Sequence, residues 1–240
     1  MTSCTTQGLA LLTGLVFWLS QPVLAESDQL NTKASNDQLD FQTLDSPVGQ
    51  VEAYRIASGP LHNADGEPRV VFSQDIEVRG AGWLRLYFED VQLEDGSFVR
   101  MTSLEDGEVQ ELDAAGLLLW RNSSAYFNGD TVRVELVAAP ATFNNSMILG
   151  NLAMEMVPAG HSRGSCGICG PDDRVPSSEE WTARMMPVGC TGTIYNTSNC
   201  FVTAGHCLDG ADTLQFNVPD SNSNGTLNTP PVADQFPVID

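Results

Sequence analysis

Between residues 70 and 157 the chain repeats one pattern, an alternating apolar and polar run followed by an acidic or amide residue and a glycine. Glu94-Asp95-Gly96 leads into residues 97–102, Glu105-Asp106-Gly107 into residues 109–112, and Asn128-Gly129-Asp130 into residues 131–137. Asx–Gly pairs reach the positive-φ backbone of tight turns at little steric cost, so each one returns the chain antiparallel to itself. The runs between them have period two. Leu84, Leu86 and Phe88 fall on one face of residues 83–88, with Trp83, Arg85 and Tyr87 on the other. Val132, Val134 and Leu136 point inward in the last run, Arg133 and Glu135 outward. Strands of this length and spacing predict an all-β fold, an antiparallel β-sandwich over residues 70–157. Trp83, Trp120, Tyr126 and Phe127 are expected in its core and rim rather than on a carbohydrate platform.

A second stretch has its own signature. Cys190-Thr191-Gly192-Thr193-Ile194-Tyr195 is a β-prone run that opens on a cysteine. After a turn comes Phe201-Val202-Thr203-Ala204-Gly205-His206-Cys207, which delivers a histidine and then a second cysteine. Histidine suits proton transfer near neutral pH because its ordinary pKa lies near 6.5. Together the two runs resemble the first half of a trypsin/chymotrypsin-like serine peptidase domain. That resemblance implies His206 as general base, a Cys190–Cys207 disulfide that pins it, and a protein or peptide as substrate. In that family the histidine takes the proton of a serine nucleophile while a carboxylate holds the ring, in the chain order His, Asp, Ser. Gly205 is expected to let backbone approach closely beside the histidine.

No Gly-Asp-Ser-Gly-Gly-like segment occurs in the 240 residues, and neither Asp234 nor Asp240 is a convincing match for the carboxylate. Residues 188–240 are therefore expected to be a partial peptidase domain, the incomplete first barrel of a chymotrypsin-like fold. Residues 212–218 read as a further strand of it. Its strands are expected to leave Ile194, Phe201, Val202 and Phe216 uncovered. The segment before it, with Gly-Trp-Leu-Arg-Leu at residues 82–86 and Val-Arg-Val-Glu-Leu at 132–136, is similar to the β-rich region preceding the catalytic domain in some bacterial secreted, lysyl-endopeptidase-like peptidases. It would serve as an accessory or pro-domain.

The flanks complete the organisation. An apolar run from Leu9 to Leu19 is too short to span a bilayer, and Val23-Leu24-Ala25 offers small-residue cleavage, so residues 1–25 read as a signal peptide despite lacking Lys or Arg. The expectation is a secreted protein, extracellular or periplasmic, with no membrane association after signal removal. Residues 26–69 are polar and read as linker or pro-segment, within which residues 51–56 could be a strand or a turn of helix. Residues 158–187 read as linker and cysteine-containing lead-in. Cys166-Gly167-Ile168-Cys169 has zinc-knuckle spacing, but a structural site needs four ligands and Cys190, Cys200 and Cys207 are spaced unlike a second pair. A secreted chain favours disulfides. The resemblance to lysyl-endopeptidase-like peptidases implies that Cys166 and Cys169 pair with cysteines further along a longer chain, and no metal or cofactor is expected. Asp and Glu number 31 against 11 Lys and Arg, in both halves, which leaves no basic face for a phosphate backbone and argues against nucleic-acid partners. Oligomeric state is left open. The reading from another class is a non-catalytic secreted binding or adhesion module carrying a degenerate peptidase remnant.

Overall fold

The strand pattern of the sequence reappears in the computed structural model, which describes residues 48–156, 175, 179–222 and 225–239. In chain order the strands are β1 (Gln50–Ala57), β2 (Leu61–Asn63), β3 (Arg69–Glu77), β4 (Ala81–Gln92), β5 (Phe98–Ser103), β6 (Val109–Leu112), β7 (Phe127–Asn128), β8 (Thr131–Ala138), β9 (Thr142–Met156), β10 (Thr182–Met186), β11 (Cys190–Ile194), β12 (Phe201–Val202), β13 (Thr213–Gln215) and β14 (Gln235–Pro237). One short helix, α1 (Ala114–Leu119), follows β6, its N-terminus capped by Asp113. The fold is all-β, and every strand pairing among the described residues is antiparallel. The readings made for residues 1–25, Cys166, Cys169 and residues 158–165 lie outside the described residues.

Two sheets form the expected sandwich. The first runs β1-β9-β4-β7, with β2 also on β9, and the second runs β3-β8-β5-β6. Between them lie Leu84, Leu86 and Phe88 of β4, Val99 and Met101 of β5, Val132, Val134 and Leu136 of β8, and Leu149, Leu152 and Met154 of β9, all buried. A residue of this kind stabilises the fold by about 1.5–3 kcal/mol on burial. The Asx–Gly turns behave as read, with Gly96, Gly107 and Gly129 all at positive φ. Trp120, Tyr126 and Phe127 are buried too.

Element boundaries differ from the sequence reading in three places. The sandwich starts before residue 70, because β1 and β2, inside the stretch read as linker, pair with β9. Only one edge of β1 is covered and its burial alternates irregularly, so its pattern in sequence is weak. Next, β10 lies inside residues 158–187. Last, the strand read over residues 212–218 ends at Gln215, since Asn217 adopts φ 48° and breaks the ladder.

The third sheet, β12-β11-β10-β13-β14, lies against the outer face of the first. Trp83, Tyr87, Tyr126 and Ala153 of the sandwich cluster with Met186 of β10, and Leu227 and Val51 pack beside them. The Trp83 ring meets Tyr126 edge to face at 5.0 Å, and its Nε1 donates to Glu155 Oε2 at 3.0 Å. Phe216 is buried and meets Phe236 edge to face at 5.8 Å, contrary to the expectation that it is left uncovered. Ile194 and Phe201 are half-buried, whereas Val202 is exposed as expected.

Arg85 is the centre of this second interface, with 1% of its surface exposed. Its Nη1 donates to Asp212 Oδ1 at 2.5 Å and to the Tyr126 hydroxyl at 3.0 Å, its Nη2 to Ser123 Oγ at 2.8 Å, and its Nε to the Ser124 carbonyl at 3.0 Å. The guanidinium also lies over the Tyr87 and Tyr126 rings, 5.1 and 4.7 Å from their centroids. Burial by itself would lower the Arg85 pKa, but the Asp212 carboxylate and the two tyrosines outweigh it and hold the pKa well above its ordinary value. Burial pushes both tyrosine hydroxyls up. A buried ion whose partner is removed is strongly destabilising. Asp212→Ala is therefore expected to cost about 3–5 kcal/mol in urea unfolding. Arg85→Met is expected to cost less, because the Asp212 side chain it strands is 29% exposed and can turn to water.

Asp106 ties the second sheet's turn to the same interface. Burial raises its pKa, but donation by Asn128 Nδ2 at 2.9 Å, with Ser103 and the Glu108 N–H also engaging it, outweighs burial and leaves the pKa below its ordinary value. A folded-state pKa below the unfolded one adds stability above about pH 4 that is lost as pH falls through the folded value. Urea midpoints measured from pH 7 down to pH 3 should therefore fall less steeply for Asp106→Asn than for the parent chain.

Candidate functional site

The third sheet carries the histidine. β10 pairs with β11 through Thr182↔Thr193 to Met185↔Cys190, and β11 pairs with β12 through Thr193↔Val202 and Ile194↔Phe201. The turn between β11 and β12 is built from amide chemistry. Asn196 Oδ1 accepts from the backbone N–H groups of Ser198 and Cys200, and Asn199 takes φ 58°. Tyr195 N–H closes the hairpin on the Cys200 carbonyl at 3.1 Å. Glycine is required at Gly192, where an added Cβ would lie 2.3 Å from the Phe201 ring, which crosses directly over it. At Gly205 a Cβ would meet nothing within 4 Å, so the close approach expected there belongs to Gly192.

After β12 the chain leaves the sheet through Thr203, whose hydroxyl donates to the Thr191 carbonyl at 3.0 Å, and makes a single 3-10 turn over Gly205–Cys207. Cys207 is buried and disulfide-bonded to Cys190 at the start of β11, with the two Cα atoms 6.0 Å apart. His206 stands on this turn and is exposed. One of its ring nitrogens and the two sulfurs lie within 4.8 Å of one another. Because the sulfurs are bonded to each other, they are not the thiolates that a zinc site needs. A disulfide fits a non-reducing compartment. Among the described residues, no helix is long and apolar enough to cross a membrane.

Among the described residues, no hydrogen bond or ion pair engages the His206 imidazole. The carboxylate nearest in sequence on its C-terminal side after Asp209 is Asp212, and it is committed to Arg85 and to the Thr213 hydroxyl. Asp234 belongs to the 3-10 turn Val232–Asp234 before β14, and its backbone, not its carboxylate, is what the structure uses. Cys190, His206 and Cys207 are therefore brought together, and no orienting carboxylate joins them among the described residues. The sequence reading missed Arg85 and Asp212 as a pair. The available signal was two aromatics flanking an arginine on the second face of one strand.

No family model matches this chain, and no curated protein sequence matches it.

Cys200 is an exposed free thiol. Alkylation of the native protein followed by non-reducing peptide mapping should label Cys200 and recover Cys190 joined to Cys207. Replacing both bonded cysteines by serine should lower stability by about 3 kcal/mol, the chain-entropy value for a loop of this size. A map with Cys200 joined to Cys207 would contradict the pairing.

Proposed function

We propose that this chain carries the general-base part of a secreted trypsin-like serine endopeptidase, with His206 as the base. The observation that carries the reading is His206 on the 3-10 turn that follows a short antiparallel strand, exposed, with the next residue bonded back to Cys190 at the start of the neighbouring strand. General-base catalysis needs an imidazole that a substrate or nucleophile can reach and whose backbone does not drift. Exposure supplies the first requirement, and the disulfide and the Thr203–Thr191 hydrogen bond supply the second. The free imidazole leaves one nitrogen for a nucleophile's proton and the other for an orienting carboxylate.

In the mechanism that this reading implies, a serine hydroxyl donates to the neutral imidazole. As it attacks a peptide carbonyl its proton passes to His206, which returns it to the leaving amine. Hydrolysis of the acyl intermediate repeats the sequence with water. His206 is the only member of that set that the reading assigns to a residue of this chain.

Casein hydrolysis is the direct test. The 240-residue chain is expected to be inactive by itself. A longer polypeptide in which a Gly-Asp-Ser-Gly-Gly-like segment follows is expected to cleave casein and to be stopped by serine-directed inhibitors. In that polypeptide His206→Ala should lower kcat by roughly 10⁴-fold or more, with KM little changed. Unchanged kcat in the His206→Ala variant would sink the reading.

A further inference from the structure

We infer that the sandwich is a permanent partner of the His206-bearing sheet and stays bound to it after any cut in the segment that joins them. The inference goes beyond the proposed activity and does not depend on what His206 does. It concerns the surface made by the outer face of β4 and β9, and the partner that fits it is residues 182–238 of the same chain.

The surface is built for that one occupant. Trp83 and Arg85 are essentially without solvent exposure, and so are Met186, Thr213 and Gln215 on the facing side. Thr226 seats its methyl group on Gly82, where a Cβ would lie 2.1 Å from it, so a side chain at residue 82 would clash with it. Polar groups are matched across the contact in pairs. Gln235 Oε1 accepts from the Tyr126 N–H at 2.9 Å while its Nε2 donates to the Tyr126 carbonyl at 2.8 Å. Asn128 makes the same two-way exchange with the backbone of Thr229, at 2.8 and 3.0 Å. Glu155 accepts from Leu227 N–H, Glu108 accepts from Val232 N–H, and Asp212 takes the buried Arg85 charge. A detachable pro-segment gains nothing from burying a cation whose counter-ion belongs to the part it leaves, whereas a permanent core does. Separation would also expose the apolar surface of Trp83, Tyr87 and Tyr126 on the sandwich and of Met186 on the facing sheet.

The disulfide joins two residues of the same half, so it does not tether the halves. The test is a specific protease site built into the full-length chain within residues 158–165, followed by cutting and gel filtration in native buffer. Both fragments of the parent chain are expected to co-elute and to part only in denaturant, and Asp212→Ala is expected to raise their dissociation constant by roughly 100-fold or more. Separation in native buffer would overturn the inference, as would an unchanged dissociation in Asp212→Ala. The uncut chain gives an independent reading by native-state hydrogen exchange. The amides of β10 and β13 should open with the same denaturant dependence as those of β4 and β9. A lower-energy opening of β10 and β13, with β4 and β9 still protected, would mean that the sheet is a separable unit and the inference is wrong.

Discussion

A guanidinium removed from water needs its charge and its five N–H groups answered, and at Arg85 the answers come from both parts of the described chain. Ser123, Ser124 and Tyr126 come from the sandwich, and Asp212 comes from the third sheet. That single requirement explains why β4 is buried on both faces. Its inward leucines and phenylalanine meet the second sheet, and its outward Trp83, Arg85 and Tyr87 meet the third. Three layers follow from one strand that has no solvent side over residues 83–88. Asp212 sits at the entry to β13, six residues beyond His206, so the same ion pair anchors the return of the loop on which the histidine stands.

The parts of this arrangement that could be read from sequence are those fixed by short-range chemistry. Strand period and Asx–Gly turns depend on residues a few positions apart, and the sandwich strands from β3 to β9 stand where that chemistry puts them. The hairpin from Cys190 to Phe201 is similarly local. What could not be read depends on contacts far apart in sequence. Binary patterning puts Trp83, Arg85 and Tyr87 on the second face of their strand, and alternation does not say whether that face is covered. Two large aromatics beside an arginine are a poor solvent face, and that composition was the one clue. At β1 the sequence left strand and helical turn both open over residues 51–56, because an edge strand half-covered on one side has little alternation to show. At Gly205 the fault was one of position, since the glycine that allows close packing is the one under the Phe201 ring.

The histidine turn contrasts with the interface behind it. Every polar atom discussed around Arg85 and Gln235 has a partner, while the imidazole of His206 has none among the described residues. Fully satisfied groups hold geometry, and an accessible unsatisfied one is available for chemistry. Arg184 is an intermediate case. It is held by the neutral acceptors Gln215 Oε1 and the Asn228 carbonyl, both at 2.8 Å, and burial lowers its pKa to about 10. A cation held by neutral groups costs stability below that pH. Its placement between β10, β13 and residue 228 is therefore better understood as fixing strand positions than as stabilising them.

The two faces of the first sheet also do different physical work. Toward the second sheet the contact is leucine, valine, methionine and phenylalanine, a non-directional attraction that tolerates small shifts. Toward the third sheet it is Gln235 on Tyr126, Asn128 on Thr229 and Arg85 on Asp212, where a shift of one residue would break each pair at once. Apolar burial provides most of the free energy of collapse, whereas paired polar groups select a single register from the arrangements that collapse allows. A sheet docked only by apolar contact could settle in more than one register, and the hydrogen-bonded face behind β10 and β13 holds the third sheet to one.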